Sequence, residues 1–148
     1  RFDRFLLPKY MEANIPVFCT CRGMQSMYVT LGGKLNQHMS HETNPSHDGG
    51  KLVHGITFEN QHIIPGFAEI TQHKPGEYKI NSRHHQTVNE ETKPDIVTIL
   101  ARHSTDGEIE FATTFPFYPC HLSQHHVEDT SDPATVFLIK HLLTLNDE

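Results

Sequence analysis

Three observations predict an α/β domain. A helix, strand, sharp turn and second helix can be read near the start, a series of short β-like runs fills the middle, and an apolar helix closes the chain. Helices near both ends with β-rich connections between them fit an α/β sheet with antiparallel additions and few core strands. The 148 residues are enough for one domain with a real core and too few for two of ordinary size.

The elements follow in order. "YMEANIPVFCT" reads as the tail of a helix followed by a strand from Ile15 to about Cys19, and Pro8 leaves the start of that helix open. From Arg22, the residues Met24, Met27, Tyr28 and Leu31 recur at helical spacing, and Gly32-Gly33 supplies a stop. Residues 36–50 are polar, punctuated by Asn-Pro and Asp-Gly, and predict a long surface loop. Short strands are expected in "KLVHGITF", "EYKINS", "DIVTILARH", "EIEFATTF" and "FYPCHLSQHH", with a hairpin at Asp106-Gly107. The last helix begins at a Ser131 or Asp132 cap with Pro133 in its first turn, and Val136, Ile139, Leu142 and Leu143 are expected on its buried face.

Composition removes several classes of function. Twelve Lys and Arg against eighteen Asp and Glu give a net charge of −6, with no basic run, which argues against a nucleic-acid partner. No apolar stretch is long enough to cross a bilayer, so no membrane association is expected. Cys19, Cys21 and Cys120 are too few and too irregularly spaced for a disulfide framework, and reduced thiols in a cytoplasmic protein are the simpler expectation. Thirteen histidines admit metal binding, catalysis or an ordinary titrating surface. The densest group, Cys120, His121, His125 and His126, lacks the paired-ligand spacing of a closed zinc site, and neither metal nor cofactor is expected.

Cys21 lies where a thiol has a physical reason to be reactive. A strand-to-helix turn lifts the sulfur above the sheet, and the positive end of the following helix favours thiolate. Gly23 lets neighbouring backbone approach the turn. The alternative is a buried structural thiol. A cysteine nucleophile needs a base and a group that orients it. His126 and Glu128, one residue apart, would face the same way in extended chain, although a solvated His pair on a loop has the same spelling.

Several blocks together carry a resemblance. "CRGMQ" at Cys21 to Gln25, "LGGKLNQ" at Leu31 to Gln37, "NSRHHQTV" at Asn81 to Val88, "STDGEIEF", and "QHHVE" at Gln124 to Glu128 resemble, in order and spacing, the class I glutamine amidotransferase-like cysteine hydrolases. Within them the chain looks most similar to the γ-glutamyl-γ-aminobutyrate hydrolase group. The resemblance implies a flavodoxin-like three-layer sandwich and a triad of Cys21 as nucleophile, His126 as base then acid, and Glu128 as its orienting partner. It further implies an oxyanion donor from the Arg22 main chain and contacts to the glutamyl end of a small-molecule substrate from Gln25, Asn81, Ser82, Arg83 and His84.

Departures from the family pattern accompany it. Cys19 stands where the elbow has Gly, which predicts crowding; His125 and Val127 replace the usual Trp and Pro; Arg83 replaces a common aromatic residue. Family members carry strands and helices before the elbow, so 1–148 is expected to be one domain lacking its N-terminal strands, with its sheet edge covered by a segment elsewhere or by self-association. A glutaminase component feeding ammonia to a synthetase, or a non-catalytic interaction module on the same fold, are the alternatives to a γ-glutamyl hydrolase.

Overall fold

A computed structural model describes the backbone of residues 2–36, 48–83, 87–125 and 132–145, and side chains within 6–36, 55–80, 87–125 and 132–145. Among the described residues, four helices, α1 (Phe2–Glu12), α2 (Arg22–Thr30), α3 (Phe67–Ile70) and α4 (Pro133–Leu145), accompany eight strands. The strands are β1 (Val17–Thr20), β2 (Leu35–Asn36), β3 (Asp48–Phe58), β4 (Tyr78–Arg83), β5 (Thr87–Val88), β6 (Thr98–His103), β7 (Ile109–Thr113) and β8 (Cys120–Ser123). Six of them form one sheet in the order β1-β8-β7-β6-β3-β4, and β2 pairs with β5 in a separate ribbon.

Only β1 and β8 pair in parallel among the described strands of the large sheet, with Val17 opposite Cys120 and Thr20 opposite Ser123. The remaining pairs are antiparallel. The β6–β7 turn carries Gly107 at φ 78, the left-handed backbone that the Asp-Gly pair predicts. The sheet is therefore the α/β arrangement with antiparallel additions expected from the sequence. Its strand β3 starts at Asp48, so the expected loop is shorter at its C-terminal end than 36–50, and 37–47 lies outside the described residues.

Strand alternation divides the core into two layers. Cys120 and Leu122 of β8 join Cys19, Met24, Met27, Tyr28 and Leu7 on the face covered by α1 and α2. On the other face, Phe111, Ile56, Ile80 and Ala101 pack with Phe67 of α3 and with Ala134 and Leu138 of α4. This is a three-layer α/β/α sandwich. Met24, Met27 and Tyr28 are fully buried, as their helical spacing predicts.

Two glycines end α2. Gly32 adopts φ 107, and the Gly32 and Gly33 N–H groups return to the Val29 and Tyr28 carbonyls at 3.0 and 2.9 Å, closing a Schellman turn. A Cβ on Gly33 would lie 2.3 Å from the Tyr28 ring, whose hydroxyl donates to the Asn89 carbonyl at 2.6 Å. The Gly-Gly pair thus stops the helix and seats its last turn against Asn89, which caps the 3-10 turn directly after β5.

The buried face of α4 differs from the one expected. Ala134, Thr135, Leu138 and Leu142 face the core, whereas Val136, Ile139 and Leu143 are exposed at 37 %, 38 % and 62 %. "ATVFLIKHLLTL" is apolar around most of its circumference, so its period does not single out one stripe. Asp132 is the observed cap: its carboxylate accepts from the Thr135 N–H at 3.0 Å. Ser131 lies outside the described residues.

Candidate active site

β1 delivers the chain to a turn at Cys21, and α2 starts one residue later. Cys21 has φ 49 and ψ −111, backbone that a non-glycine residue rarely adopts. Its own N–H donates to the Ser123 carbonyl at 2.7 Å, and its carbonyl receives the first bond of α2, from the Gln25 N–H at 3.2 Å. Residues 22–24 therefore offer N–H groups at the helix start with no carbonyl behind them in the helix. A strained cysteine, a half-exposed thiol and a set of outward amides meet at one strand-to-helix elbow.

The other two cysteines have a different fate. Cys19 and Cys120 are buried, with their sulfurs 3.9 Å apart across β1 and β8, and none of the three cysteines is in a disulfide. Contact with Cys19 and burial together hold the Cys120 thiol well above the ordinary thiol range. The crowding expected from Cys19 does not arise. Its Cβ is 3.7 Å from where a Cβ on Gly23 would stand, an ordinary contact distance, and its side chain joins the core.

The predicted binding residues are distributed unevenly. Arg22 is exposed and Gln25 half-buried in the first turn of α2, beside Cys21. Asn81, Ser82 and Arg83 close β4, at the opposite edge of the large sheet from β1. The link between the two regions is the β2–β5 ribbon: Leu35 pairs with Val88 and Asn36 with Thr87, so the chain leaving β4 returns to the strand that follows α2. His84, His126 and Glu128 lie outside the described residues.

Beside the elbow is a buried polar network that sequence reading did not find. Ser123 Oγ is 2.5 Å from His125 Nδ1, His125 Nε2 is 3.1 Å from Asp132 Oδ2, and Thr135 Oγ1 donates to the same oxygen at 2.7 Å. The Tyr78 hydroxyl donates to Asp132 Oδ1 and accepts from the Ala134 N–H at 2.8 Å. Burial raises the Asp132 pKa, but bonds from His125, Tyr78 and Thr135 outweigh it and hold the carboxyl at about 2. With Asp132 ionised, Nε2 of His125 carries the donated proton and Nδ1 accepts from the Ser123 hydroxyl. Ser, His and Asp in this order have the composition of a nucleophilic triad, yet Ser123 and His125 are both completely buried, so no substrate carbonyl reaches them.

Two further histidines are bonded to each other. His121 Nδ1 is 2.8 Å from Thr113 Oγ1 and its Nε2 3.0 Å from His141 Nδ1, separate from the His125 network. No group of three or more His, Cys, Asp or Glu among the described residues is arranged to hold a metal ion. Nor is any described helix long and apolar enough to cross a membrane.

The chain is thus a three-layer α/β sandwich with a strained cysteine at a strand-to-helix elbow. The model of the Peptidase C26 family matches residues 1–128, and the chain belongs to that family. It is 31% identical over 115 residues to the glutamine amidotransferase-like protein YvdE of Lactococcus lactis, covering 74% of this chain and 45% of that one. It is 32% identical over 93 residues to protein NtpR of Enterococcus hirae, covering 60% and 38%. The chain thus spans less than half the length of these curated relatives.

Solved structures agree on the fold. A protein assigned to GMP synthase from Thermoplasma acidophilum superposes with a TM-score of 0.65 at 17% identity, covering 97% of this chain and 66% of that one. A glutamine amidotransferase from Thermotoga maritima gives 0.59 at 14% identity, covering 99% and 53%. The fold is that of the class I glutamine amidotransferases.

Proposed function

We propose that this chain is a cysteine-dependent hydrolase of γ-glutamyl amides. The observation that carries the reading is Cys21 itself: φ 49, a half-exposed thiol at the start of α2, and two other thiols withdrawn into the core. Membership of the Peptidase C26 family and the "CRGMQ", "NSRHHQ" and "QHHVE" blocks support it.

In this reading the Cys21 thiolate attacks the side-chain carbonyl of a γ-glutamyl amide, and the Arg22 N–H stabilises the developing oxyanion. His126, oriented by Glu128, gives a proton to the departing amine. The resulting γ-glutamyl thioester is hydrolysed by water that His126 deprotonates, releasing glutamate and the free thiol. Gln25, Asn81, Ser82, Arg83 and His84 hold the glutamyl α-amino and α-carboxylate groups. Three cysteines without a disulfide fit a reducing compartment, and we place the protein in the cytoplasm on that ground.

Glutamate release from a panel of γ-glutamyl amides, γ-glutamyl-aminobutyrate included, tests the reading. Activity lost in Cys21→Ala and retained in Cys19→Ala supports it. Ammonia released from glutamine only in the presence of a second protein favours a glutaminase component of a synthetase. A second reading is a non-catalytic module of the same fold, favoured by the departure at Cys19 from the glycine of the family's elbow. Folded protein without turnover of any γ-glutamyl amide supports that reading.

A further inference from the structure

At the end of the sheet away from the elbow, two histidines lead from the core to a cavity that the hydrolase reading does not use. Thr20 and Ser123 mark the elbow end of the β1–β8 pair, and Val17 and Cys120 mark the other. There His121, fully buried, has its Nε2 3.0 Å from Nδ1 of His141, which is half-buried on α4. Beyond His141 lies a cavity of about 570 Å³, with Phe115, Phe137 and Leu145 on its walls and Lys140, His141 and Thr144 as its polar groups. Its walls are set by packing. Phe115 stands edge-on to His141 with centroids 4.7 Å apart, and Phe137 leans on Phe67 of α3 at 5.9 Å. A Cβ on Gly66 would already come within 3.0 Å of the Phe137 ring, so that ring has little room to turn away.

The polar groups differ in what they have left to offer. Thr144 is spent within its own helix, where its hydroxyl donates to the His141 carbonyl at 2.7 Å. Among the described residues, Lys140 is the only Lys, Arg, Asp or Glu lining the cavity, and it is exposed. His141 is fixed by the chain of bonds behind it. The Thr113 hydroxyl accepts the Phe115 N–H at 3.0 Å and donates to the Cys120 carbonyl at 3.1 Å, so His121 Nδ1, 2.8 Å away, donates to it. Burial keeps both rings neutral. Nε2 of His121 therefore accepts from the Nδ1–H of His141, and Nε2 of His141, on the flank away from His121, is an acceptor.

We propose that this cavity binds a small aromatic carboxylate bearing a ring hydroxyl: the ring lies against Phe115 and Phe137, the carboxylate meets the Lys140 ammonium, and the hydroxyl donates to His141 Nε2. The class follows from three features together, namely aromatic walls, one cation and one neutral acceptor. An aliphatic acid leaves the aromatic walls unused, and an uncharged arene leaves the ammonium without its counter-charge. The site stands at the opposite end of the sheet from Cys21, and it does not depend on the hydrolase reading.

Isothermal titration of 4-hydroxyphenylacetate, phenylacetate and 2-(4-hydroxyphenyl)ethanol into the whole 148-residue chain tests the proposal, with Lys140→Met, Phe137→Ala and Cys21→Ala beside wild type. One molecule of 4-hydroxyphenylacetate is expected to bind wild type and Cys21→Ala alike. Removing the carboxylate from the probe, or the ammonium through Lys140→Met, is expected to weaken binding at least about fivefold, and removing the ring hydroxyl severalfold. Phe137→Ala is expected to weaken all three probes. Lys140 is exposed, so Lys140→Met leaves the core intact and carries the test if Phe137→Ala does not fold. No saturable binding by wild type up to about 10 mM, or equal affinity for the three probes, overturns the proposal. So does binding that Lys140→Met leaves unchanged, or that Cys21→Ala abolishes, which would place the ligand at the elbow. A dimer in solution that Phe137→Ala dissociates would assign the cavity to a second copy of the chain and overturn it as well.

Discussion

The main-chain N–H of Cys21 donates to the carbonyl of Ser123 at 2.7 Å, so β8 fixes Cys21 one residue beyond the last rung of its pairing with β1. That bond holds Cys21 at φ 49 and ψ −111, a conformation that costs a non-glycine residue roughly 1–3 kcal/mol. Glycine relieves the strain and gives back part of the gain through unfolded-state entropy. Cys21→Gly is therefore expected to be about 1 kcal/mol more stable than Cys21→Ala in urea titrations. Equal stabilities would mean that the elbow stores no strain.

Gly55 and Gly107 separate space from conformation. A Cβ on Gly55 would stand 2.2 Å from the Gly76 carbonyl oxygen, a backbone atom that cannot swing aside. Gly55→Ala is expected to destabilise by about 2 kcal/mol or more, in the range of overpacking. Gly107 has nothing within 4 Å and only its φ of +78 to protect, so Gly107→Ala is expected to cost about 1 kcal/mol. Chemical denaturation of the two variants checks the order, and a reversal would contradict the β3–Gly76 contact.

The side of α4 that faces the core gives a third contrast. Leu138→Ala is expected to cost about 3 kcal/mol, while Leu143→Ala, 62 % exposed, stays within about 0.5 kcal/mol. Comparable losses at the two positions would mean that the exposed apolar side of α4 is covered.

Acid sensitivity follows from two buried groups. His121 is pushed down to about 3, by burial first and by His141 beside it, from an ordinary value of 6.5. A base whose folded pKa is depressed binds a proton on unfolding, so its contribution is complete above pH 6.5 and shrinks as pH falls towards 3. The size is on the order of 3 kcal/mol. His121→Gln is expected to flatten stability between pH 6.5 and 3, and parallel curves for the two proteins would count against the buried neutral ring.

Asp132 acts lower on the scale. Its folded value of about 2 lies below the ordinary 3.8, so its contribution of about 2 kcal/mol is present above pH 3.8 and is lost as pH falls through 2. Asp132→Asn is expected to be less stable than wild type by about that amount at pH 7 and equal to it near pH 2. A gap that persists at about pH 2 would assign the loss to packing instead of charge.

Much of this was legible in the sequence because the signals were local. The elbow helix showed in Met24, Met27 and Tyr28, its stop in Gly32-Gly33, and the hairpin in Asp106-Gly107. What the sequence hid depends on contacts between distant residues. Nothing local joins Tyr78 to Asp132, or says that Cys19 turns into the core against Cys120 and leaves the elbow uncrowded. The face of α4 was illegible for a different reason: a helix apolar on most sides leaves the choice to the sheet it packs on. Of the triad expected from the blocks, the structure describes Cys21, and His126 and Glu128 lie outside the described residues.

The nucleophilic role of Cys21 is tested most directly by intact mass after incubation with a glutamine-mimicking chloroketone amino acid. One adduct is predicted on wild type and on Cys19→Ala, and none on Cys21→Ala. Folded wild-type protein that forms no adduct, or an adduct that survives in Cys21→Ala, would contradict it.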